Sequence, residues 1–329
     1  MSVFGTEFCD QFALAQFDGE SWQGGDLVPL APIPMHPASH VFHYASTCFE
    51  GFKAYRWADG SVHVFRLADH VARMQKSAAS LMLPVPDADL LTDMVLRIVD
   101  ASRDQIPELP GALYLRPTLI GTLPNIGAAA SPSTEAMLFV LASPVGDYFA
   151  GGMRPLKILI DDQNARSTRQ LGSTKTGGNY AAALGPTLAA KAEYGVDQVL
   201  FCPSSDVQET GAANFILIGD DRVQTKPLDS SFLHGITRAS ILQIAEDLGF
   251  DVILEDFTVP ELLDAISNHD AALSGTAASL TPIGTMIYQQ KSYEVHPGSD
   301  YATTLKLRAA LSAVHSGQRD DVHGWLTKV

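Results

Sequence analysis

The sequence is short of positive charge, of cysteine and of long apolar runs. Lys and Arg total 22 against 37 Asp and Glu, a formal net charge of −15. This balance argues against a nucleic-acid-binding protein, which needs a basic face to displace counterions, and against binding to anionic membranes. No apolar run approaches the roughly 18 residues of a membrane span, and no basic segment followed by an apolar stretch marks a signal peptide at the N-terminus.

Cysteine is equally scarce. Cys9, Cys48 and Cys202 lie far apart and no CxxC pair occurs. A disulfide framework is therefore not expected, which favours a reducing compartment. The sequence predicts a cytoplasmic protein with no nucleic-acid or membrane partner.

What the chain has is length and core-forming residues. Its 329 residues are 46% hydrophobic, enough for two ordinary domains. Strand and helix patterns alternate throughout, so the predicted class is α+β. The stretch 143–155 has three Gly and two Pro, and we predict an N-terminal domain over 1–143, a connecting loop over 144–155 and a C-terminal domain over 156–329.

Local patterns place the elements. We predict strands at 61–66, 112–121, 136–143, 156–161, 198–202, 214–219 and 270–275. Helices are expected around 71–81, after an N-cap at Asp87, and over 179–194, 237–250 and 299–315.

Lys175 differs in context from the other eight lysines. It lies between Gly172 and the pair Gly177–Gly178, and such small neighbours let a planar ligand approach the backbone, where a lysine amine can form a Schiff base. A flexible surface loop is the alternative. A nucleotide-binding P-loop is a weaker one, because GxxxxGK[ST] requires Gly directly before the lysine and Thr174 stands there.

Two glycine turns are candidate anion sites. Gly235 precedes a predicted helix, so the amides of Ile236 and Thr237 would face outward at the positive end of the helix dipole. The Gly275-Thr276-Ala277 turn offers amides and a hydroxyl. Arg73 is a possible further contributor, with a solvated helical arginine as the alternative.

Glu209 and three histidines are the remaining candidates. Glu209 is expected on a turn between two strands, where its carboxylate would pair with a protonated ring nitrogen or serve as an ordinary turn acid. His36, His40 and His43 have a spacing that suggests metal ligation, but Pro34 and Pro37 prevent one helix from presenting all three. No metal site is predicted.

Several strings, taken in order, resemble the fold-type IV aminotransferases that use pyridoxal 5′-phosphate (PLP), and most of all the branched-chain amino acid aminotransferases. The strings cover nearly the whole chain and are HYASTCFEGFKAYR (43–56), HVARMQKSA (70–78), LYLRPTLIGTLPNIG (113–127), SPVGDYFAGG (143–152), KTGGNYAAAL (175–184), QVLFCPSSDVQETGAANFILI (198–218), GITRASIL (235–242) and SGTAASLTPIG (274–284). The resemblance implies a two-domain fold like that of D-amino-acid aminotransferase, with a smaller N-terminal α/β domain and a larger strand-rich domain that binds PLP. It also implies at least a homodimer.

The same resemblance implies roles for individual residues. Lys175 is similar to the lysine that attaches PLP covalently and moves protons during catalysis. The other cofactor-binding residues would be Arg73, Ile236, Thr237 and Thr276 at the phosphate, Glu209 at the ring nitrogen and Tyr180 at the ring hydroxyl. The substrate-binding residues would be Phe49, Tyr114, Arg116 and Ala277, together with Tyr44 of the partner subunit and Ile126 of the partner subunit.

The implied reaction transfers the amino group of Leu, Ile or Val to 2-oxoglutarate, giving 2-oxo acids and L-glutamate. Arg116 would receive the side-chain carboxylate of glutamate. Another fold-type IV transaminase, acting on D-amino acids, amines or aromatic 2-oxo acids, or an aminodeoxychorismate lyase, is the alternative. Two departures from the family pattern are Ala212, where a threonine is often found, and Ser279, where bacterial relatives often carry Glu.

Overall fold

The computed structural model describes residues 4–127, 131–146, 153–277 and 279–329 and divides into two compact units. The first unit takes in the described residues up to 146, Thr174–Gly177 and His315–Val329. The second takes in 153–173 and Gly178–Val314. The division into 1–143 and 156–329 stays a prediction, and much of the predicted loop at 144–155 lies outside the described residues.

The described residues form seven α-helices and seventeen strands. The helices are α1 His40–Tyr44, α2 Leu67–Ser80, α3 Ala88–Ala101, α4 Gly177–Tyr194, α5 Ile236–Asp247, α6 Val259–Ala265 and α7 Ala302–His315. The strands are β1 Gln11–Phe17, β2 Trp22–Pro29, β3 Thr47–Phe49, β4 Phe52–Arg56, β5 Val62–Phe65, β6 Ala112–Gly121, β7 Ala136–Val145, β8 Leu156–Asp161, β9 Gln198–Phe201, β10 Glu209–Thr210, β11 Asn214–Ile218, β12 Arg222–Thr225, β13 Asp251–Leu254, β14 Asp270–Gly275, β15 Ser279–Tyr288, β16 Lys291–Glu294 and β17 Leu326–Lys328.

The first unit is built on one antiparallel sheet. Its strand order is β17-β5-β4-β6-β7-β1-β2, and β3 pairs with β6. The helices α2 and α3 bury an apolar stripe against it, which includes Met74 of α2 and Met94 and Ile98 of α3. Residues recurring every three or four positions bring such a stripe to one helix face, and this explains why both helices are readable in the sequence.

The second unit is built on a mixed sheet with the order β10-β9-β8-β15-β14-β11-β12-β13, and β16 pairs with β15. Strand β11, which lies between β14 and β12, is buried along its whole length, as its run of apolar residues predicts. Helix α6 begins with a capping box between Thr258 and Glu261 and buries Val259 and Leu262 in the core.

Most predicted elements are found. Strand β6 covers 112–121 as predicted, and Asp87 is the N-cap residue of α3, although its side chain makes no capping hydrogen bond. Two predictions are wrong in detail. Strand β7 continues through Pro144 and Val145, which were assigned to the loop, and Glu209 lies in the short strand β10 rather than in a turn. Among the described residues, none of the helices combines the length and hydropathy that crossing a membrane requires.

Candidate active site

The segment that carries Lys175 is held firmly within the first unit. The backbone N–H of Lys175 donates to Ser77 Oγ at 3.1 Å, and its carbonyl accepts from the Phe49 N–H at 3.0 Å. The neighbouring Thr176 hydroxyl donates to the Thr47 carbonyl at 2.7 Å. These bonds contradict the flexible surface loop that was the alternative for this lysine. Its Nζ lies 4.9 Å from the centre of the Phe49 ring.

Arg116 lies against two aromatic rings in the first unit. Tyr114 and Arg116 are two residues apart on β6 and so share one face of the sheet. The guanidinium lies 4.7 Å from the Phe49 ring centre and 5.3 Å from that of Tyr114, and its Nη2 donates to the Tyr114 hydroxyl at 2.7 Å. The Nε of Arg116 is buried and makes no hydrogen bond with any described residue. A buried N–H of a cation without an acceptor is costly, and a carboxylate is its natural partner.

Two further residues pack around Tyr114 and were not predicted from the sequence. Phe4 packs edge to face against Tyr114, with ring centres 4.9 Å apart. Gly51 leaves the space that Tyr114 fills, because a Cβ at position 51 would lie 2.0 Å from the tyrosine oxygen. Both are distant from Tyr114 in sequence, so no local pattern indicates them.

Arg73 is paired with a buried acid that the sequence analysis did not single out. Its Nε donates to Glu50 Oε1 at 2.6 Å and its Nη2 to Glu50 Oε2 at 2.8 Å. His70, one turn earlier on α2, approaches Glu50 Oε2 at 2.6 Å through its Nδ1. Arg73 is therefore fixed on one edge of its guanidinium, which contradicts the alternative of a solvated helical arginine.

Glu209 lies in the second unit, where three donors hold it. Oε1 accepts from Arg166 Nη1 at 2.8 Å and from the Leu233 N–H at 2.9 Å, and Oε2 accepts from Asn214 Nδ2 at 3.1 Å. Glu209 is 2% exposed and Arg166 1% exposed. The guanidinium also lies 5.2 Å from the ring centre of Tyr180. Arg166 thus connects two predicted site residues, although nothing in the sequence distinguishes it from Arg169.

The helix start at α5 has the predicted form. Ile236 and Thr237 occupy its first turn, and its N-cap is Gly235, which provides no side-chain cap. A Cβ at Gly235 would lie 1.9 Å from Asn214 Oδ1, so only glycine fits beside the amide that holds Glu209. Thr276 and Ala277 form the turn that follows β14.

The structure thus gathers the predicted residues into two sets. In the first unit, Tyr44 and Ile126 are also joined, because the Tyr44 hydroxyl donates to the Ile126 carbonyl. The set in the first unit comprises Lys175, Arg73, Phe49, Tyr114, Arg116, Tyr44 and Ile126, and the set in the second comprises Tyr180, Glu209, Ile236, Thr237, Thr276 and Ala277.

The three histidines have separate partners. His36 Nδ1 accepts from the Ala38 N–H at 3.1 Å, His40 Nδ1 lies 2.9 Å from Ser46 Oγ, and His43 Nε2 lies 3.0 Å from the Pro37 carbonyl. In the part of the chain that the structure describes, no three side chains of His, Cys, Asp or Glu are grouped as metal ligands.

Comparison with known proteins gives a consistent result. The family profile of amino-transferase class IV matches residues 47–285. A probable branched-chain-amino-acid aminotransferase of Streptomyces coelicolor is 35% identical over 98% of this chain and 91% of its own length. The branched-chain-amino-acid aminotransferase of Mycolicibacterium smegmatis is 34% identical over 99% of this chain and 92% of its own.

Solved structures agree with this relationship. A branched-chain amino acid aminotransferase from T.th., solved with pyridoxamine 5′-phosphate, superposes with a TM-score of 0.82 at 26% identity and covers 98% of this chain and 99% of its own. The enzyme from Thermoproteus uzoniensis, solved with norvaline, gives a TM-score of 0.79 at 26% identity, covering 97% and 99%. The chain belongs to the class IV aminotransferases, and its fold is the two-domain α+β fold of this family.

Proposed function

We propose that this enzyme transfers the amino group of L-leucine, L-isoleucine or L-valine to 2-oxoglutarate with PLP as cofactor. One observation carries the choice of substrates. Arg116 lies against the rings of Phe49 and Tyr114 and keeps a buried Nε without a partner in the described residues. Aromatic rings suit an aliphatic side chain, and the cation suits the second carboxylate of glutamate.

The residues present fit PLP. Glu209 is a buried carboxylate fixed by Arg166, and we assign it to the ring nitrogen, which when protonated needs a negative partner. The first turn of α5, beginning after Gly235, has the form that binds phosphate groups. We assign Arg73, Ile236, Thr237 and Thr276 to the phosphate and Tyr180 to the ring hydroxyl. PLP, when bound, supplies the electron sink for the reaction.

The protein's own groups then bind, orient and move protons. Lys175 would attach the cofactor, and its Nζ would then take the proton from the substrate Cα as general base and deliver it to the cofactor carbon as general acid. The hydrogen bonds of its backbone to Ser77 and Phe49 fix the starting point of this side chain. A lysine held at its backbone reaches the same point in each cycle, which is the geometric requirement for proton transfer.

Substrate binding involves residues of two subunits in this proposal. Tyr114 and the amides of Thr276 and Ala277 hold the α-carboxylate, while Phe49 provides an apolar wall. The pair Tyr44 of the partner subunit and Ile126 of the partner subunit completes the wall. Within one chain these two are joined by a hydrogen bond, and Ile126 is 67% exposed, which supports a homodimer in which they cover a neighbour's pocket. A cytoplasmic location remains a prediction.

Steady-state kinetics with a panel of amino donors tests this function. We expect Leu, Ile and Val to be the preferred donors and 2-oxoglutarate the acceptor. Arg116→Gln should lower kcat/KM for glutamate by about 30- to 100-fold, the worth of a charge-assisted hydrogen-bond pair, and for leucine by much less. Arg97→Gln, a change at a half-exposed arginine of α3, is the matched control.

The outcomes separate the alternatives. Preference for D-amino acids, amines or aromatic 2-oxo acids, or lyase activity on aminodeoxychorismate, would replace the proposed substrates by those of a related enzyme. If Arg116→Gln lowered kcat/KM equally for glutamate and leucine, Arg116 would not be the residue that binds the side-chain carboxylate of glutamate.

A further inference from the structure

Among the described acids of the first unit, Glu50 is the most completely buried, and it has no role in the reaction described above. It is 0% exposed and lies in the sequence between Gly51 and Phe49, the residue proposed as an apolar wall for the substrate. Burial alone would raise the pKa of its carboxyl, but the charges of Arg73 and His70 and their hydrogen bonds lower that pKa well below its usual range. The carboxylate is therefore ionised, and the Nε and Nη2 of Arg73 bind both of its oxygens.

This two-point pairing fixes the plane of the Arg73 guanidinium. An arginine has a long side chain with many rotamers, and a bidentate carboxylate selects one of them. Because Glu50 binds the Nε–Nη2 edge, the hydrogens of Nη1 and the second hydrogen of Nη2 point away from Glu50 in a fixed direction. Glu50 thus sets the orientation of the whole Arg73 guanidinium.

Helix α2 links Arg73 to the lysine segment. Ser77 lies four residues after Arg73, so both side chains project from the same face of the helix. Ser77 Oγ accepts from the Lys175 N–H at 3.1 Å. Helix α2 therefore carries Arg73, the cation proposed for the phosphate, and also binds the backbone of Lys175, the lysine proposed to attach the cofactor. Glu50 in turn holds the side chain of Arg73.

We propose that Glu50 is a positioning residue that orients Arg73 and so sets how strongly the enzyme prefers a phosphorylated cofactor over pyridoxal. This inference rests on the proposed assignment of Arg73 to the phosphate. Charge alone predicts the opposite effect, because Glu50 offsets part of the positive charge that attracts a phosphate. Orientation and charge therefore make different predictions for one substitution.

The experiment measures cofactor binding by the full-length protein freed of its cofactor, with no assay of activity. PLP and pyridoxal are titrated separately. The dissociation constant of pyridoxal divided by that of PLP gives the selectivity for the phosphate. Glu50→Gln should lower this ratio by about 10- to 100-fold, the worth of one well-placed charge-assisted hydrogen bond, mainly by weakening PLP. Arg73→Gln should lower it at least as much, and the double variant no further than Arg73→Gln alone.

Glu50→Asp covers the case in which Glu50→Gln does not fold. It keeps the charge and withdraws it from Arg73 by one methylene, so it should also lower the ratio if orientation matters. Glu20→Gln, at an exposed glutamate, should leave the ratio unchanged.

Each contrary result has a distinct meaning. An unchanged or increased ratio in Glu50→Gln, or an unchanged ratio in Glu50→Asp, would overturn the positioning role. An unchanged ratio in Arg73→Gln would instead overturn the assignment of Arg73 to the phosphate, on which the inference rests.

Discussion

Removing Arg166 should destabilise the second unit far more than removing an exposed arginine. Arg166→Leu removes the cation beside the buried Glu209 carboxylate, and water cannot replace that cation because both side chains are almost fully inaccessible to solvent. Breaking a buried ion pair in this way costs about 3–5 kcal/mol. At about 2–4 °C per kcal/mol for a domain of this size, Tm should fall by roughly 6–20 °C.

The assay is thermal unfolding of cofactor-free protein, so that cofactor affinity does not enter the result. Arg154→Leu is the matched control, since Arg154 pairs with Asp197 in the same unit but its side chain is 68% exposed. An exposed pair of this kind is worth less than about 1 kcal/mol. The double variant Arg166→Leu/Glu209→Gln removes both buried charges and should recover part of the loss. If Arg166→Leu lowers Tm no more than Arg154→Leu, the buried pair does not have the stabilising role described.

Three further predictions concern the first unit. Gly51→Ala should raise KM for glutamate, because the new Cβ would displace Tyr114 and break its hydrogen bond with Arg116. Gly185→Ala, in open space on α4, should leave this KM unchanged. Cys48 should resist thiol reagents at pH 8 in the folded protein and react after denaturation, because burial raises the pKa of its thiol to about 12. Labelling of native Cys48 would contradict this. Burial lowers the pKa of His315 to about 3. Between about pH 6.5 and pH 3 the unfolded chain therefore binds a proton that the folded chain does not. The free energy of unfolding should decrease by up to about 1.4 kcal/mol for each unit by which the pH is lowered through this window. His315→Phe should reduce that slope, as measured by urea unfolding at several pH values, and an unchanged slope would refute the assignment.

Some strands and helices were predictable from the sequence and others were not, for reasons that differ from element to element. Strand β6 is rich in β-forming residues and ends at a glycine, so its bounds were predicted. Strand β2 escaped notice because Gly24 and Gly25 adopt positive φ at a break in its register with β1. Strand β15 contains both Pro282 and Gly284, and each of these residues weakens a strand pattern.

In the candidate site, individual functional residues were predictable from the sequence but their buried partners were not. Lys175, Glu209 and Arg73 were found through motifs and their order along the chain. Their buried partners were missed, because the pair of Arg166 with Glu209 spans 43 residues and that of Arg73 with Glu50 spans 23. Such pairs form only when separate strands and helices meet, and no local periodicity encodes them.

Borohydride reduction of the enzyme with its cofactor, followed by peptide mapping, tests the central claim most directly. The account predicts a stable phosphopyridoxyl group on Lys175 and on no other lysine, and its absence from Lys175→Ala. A label on another residue, or no label at all, would contradict it.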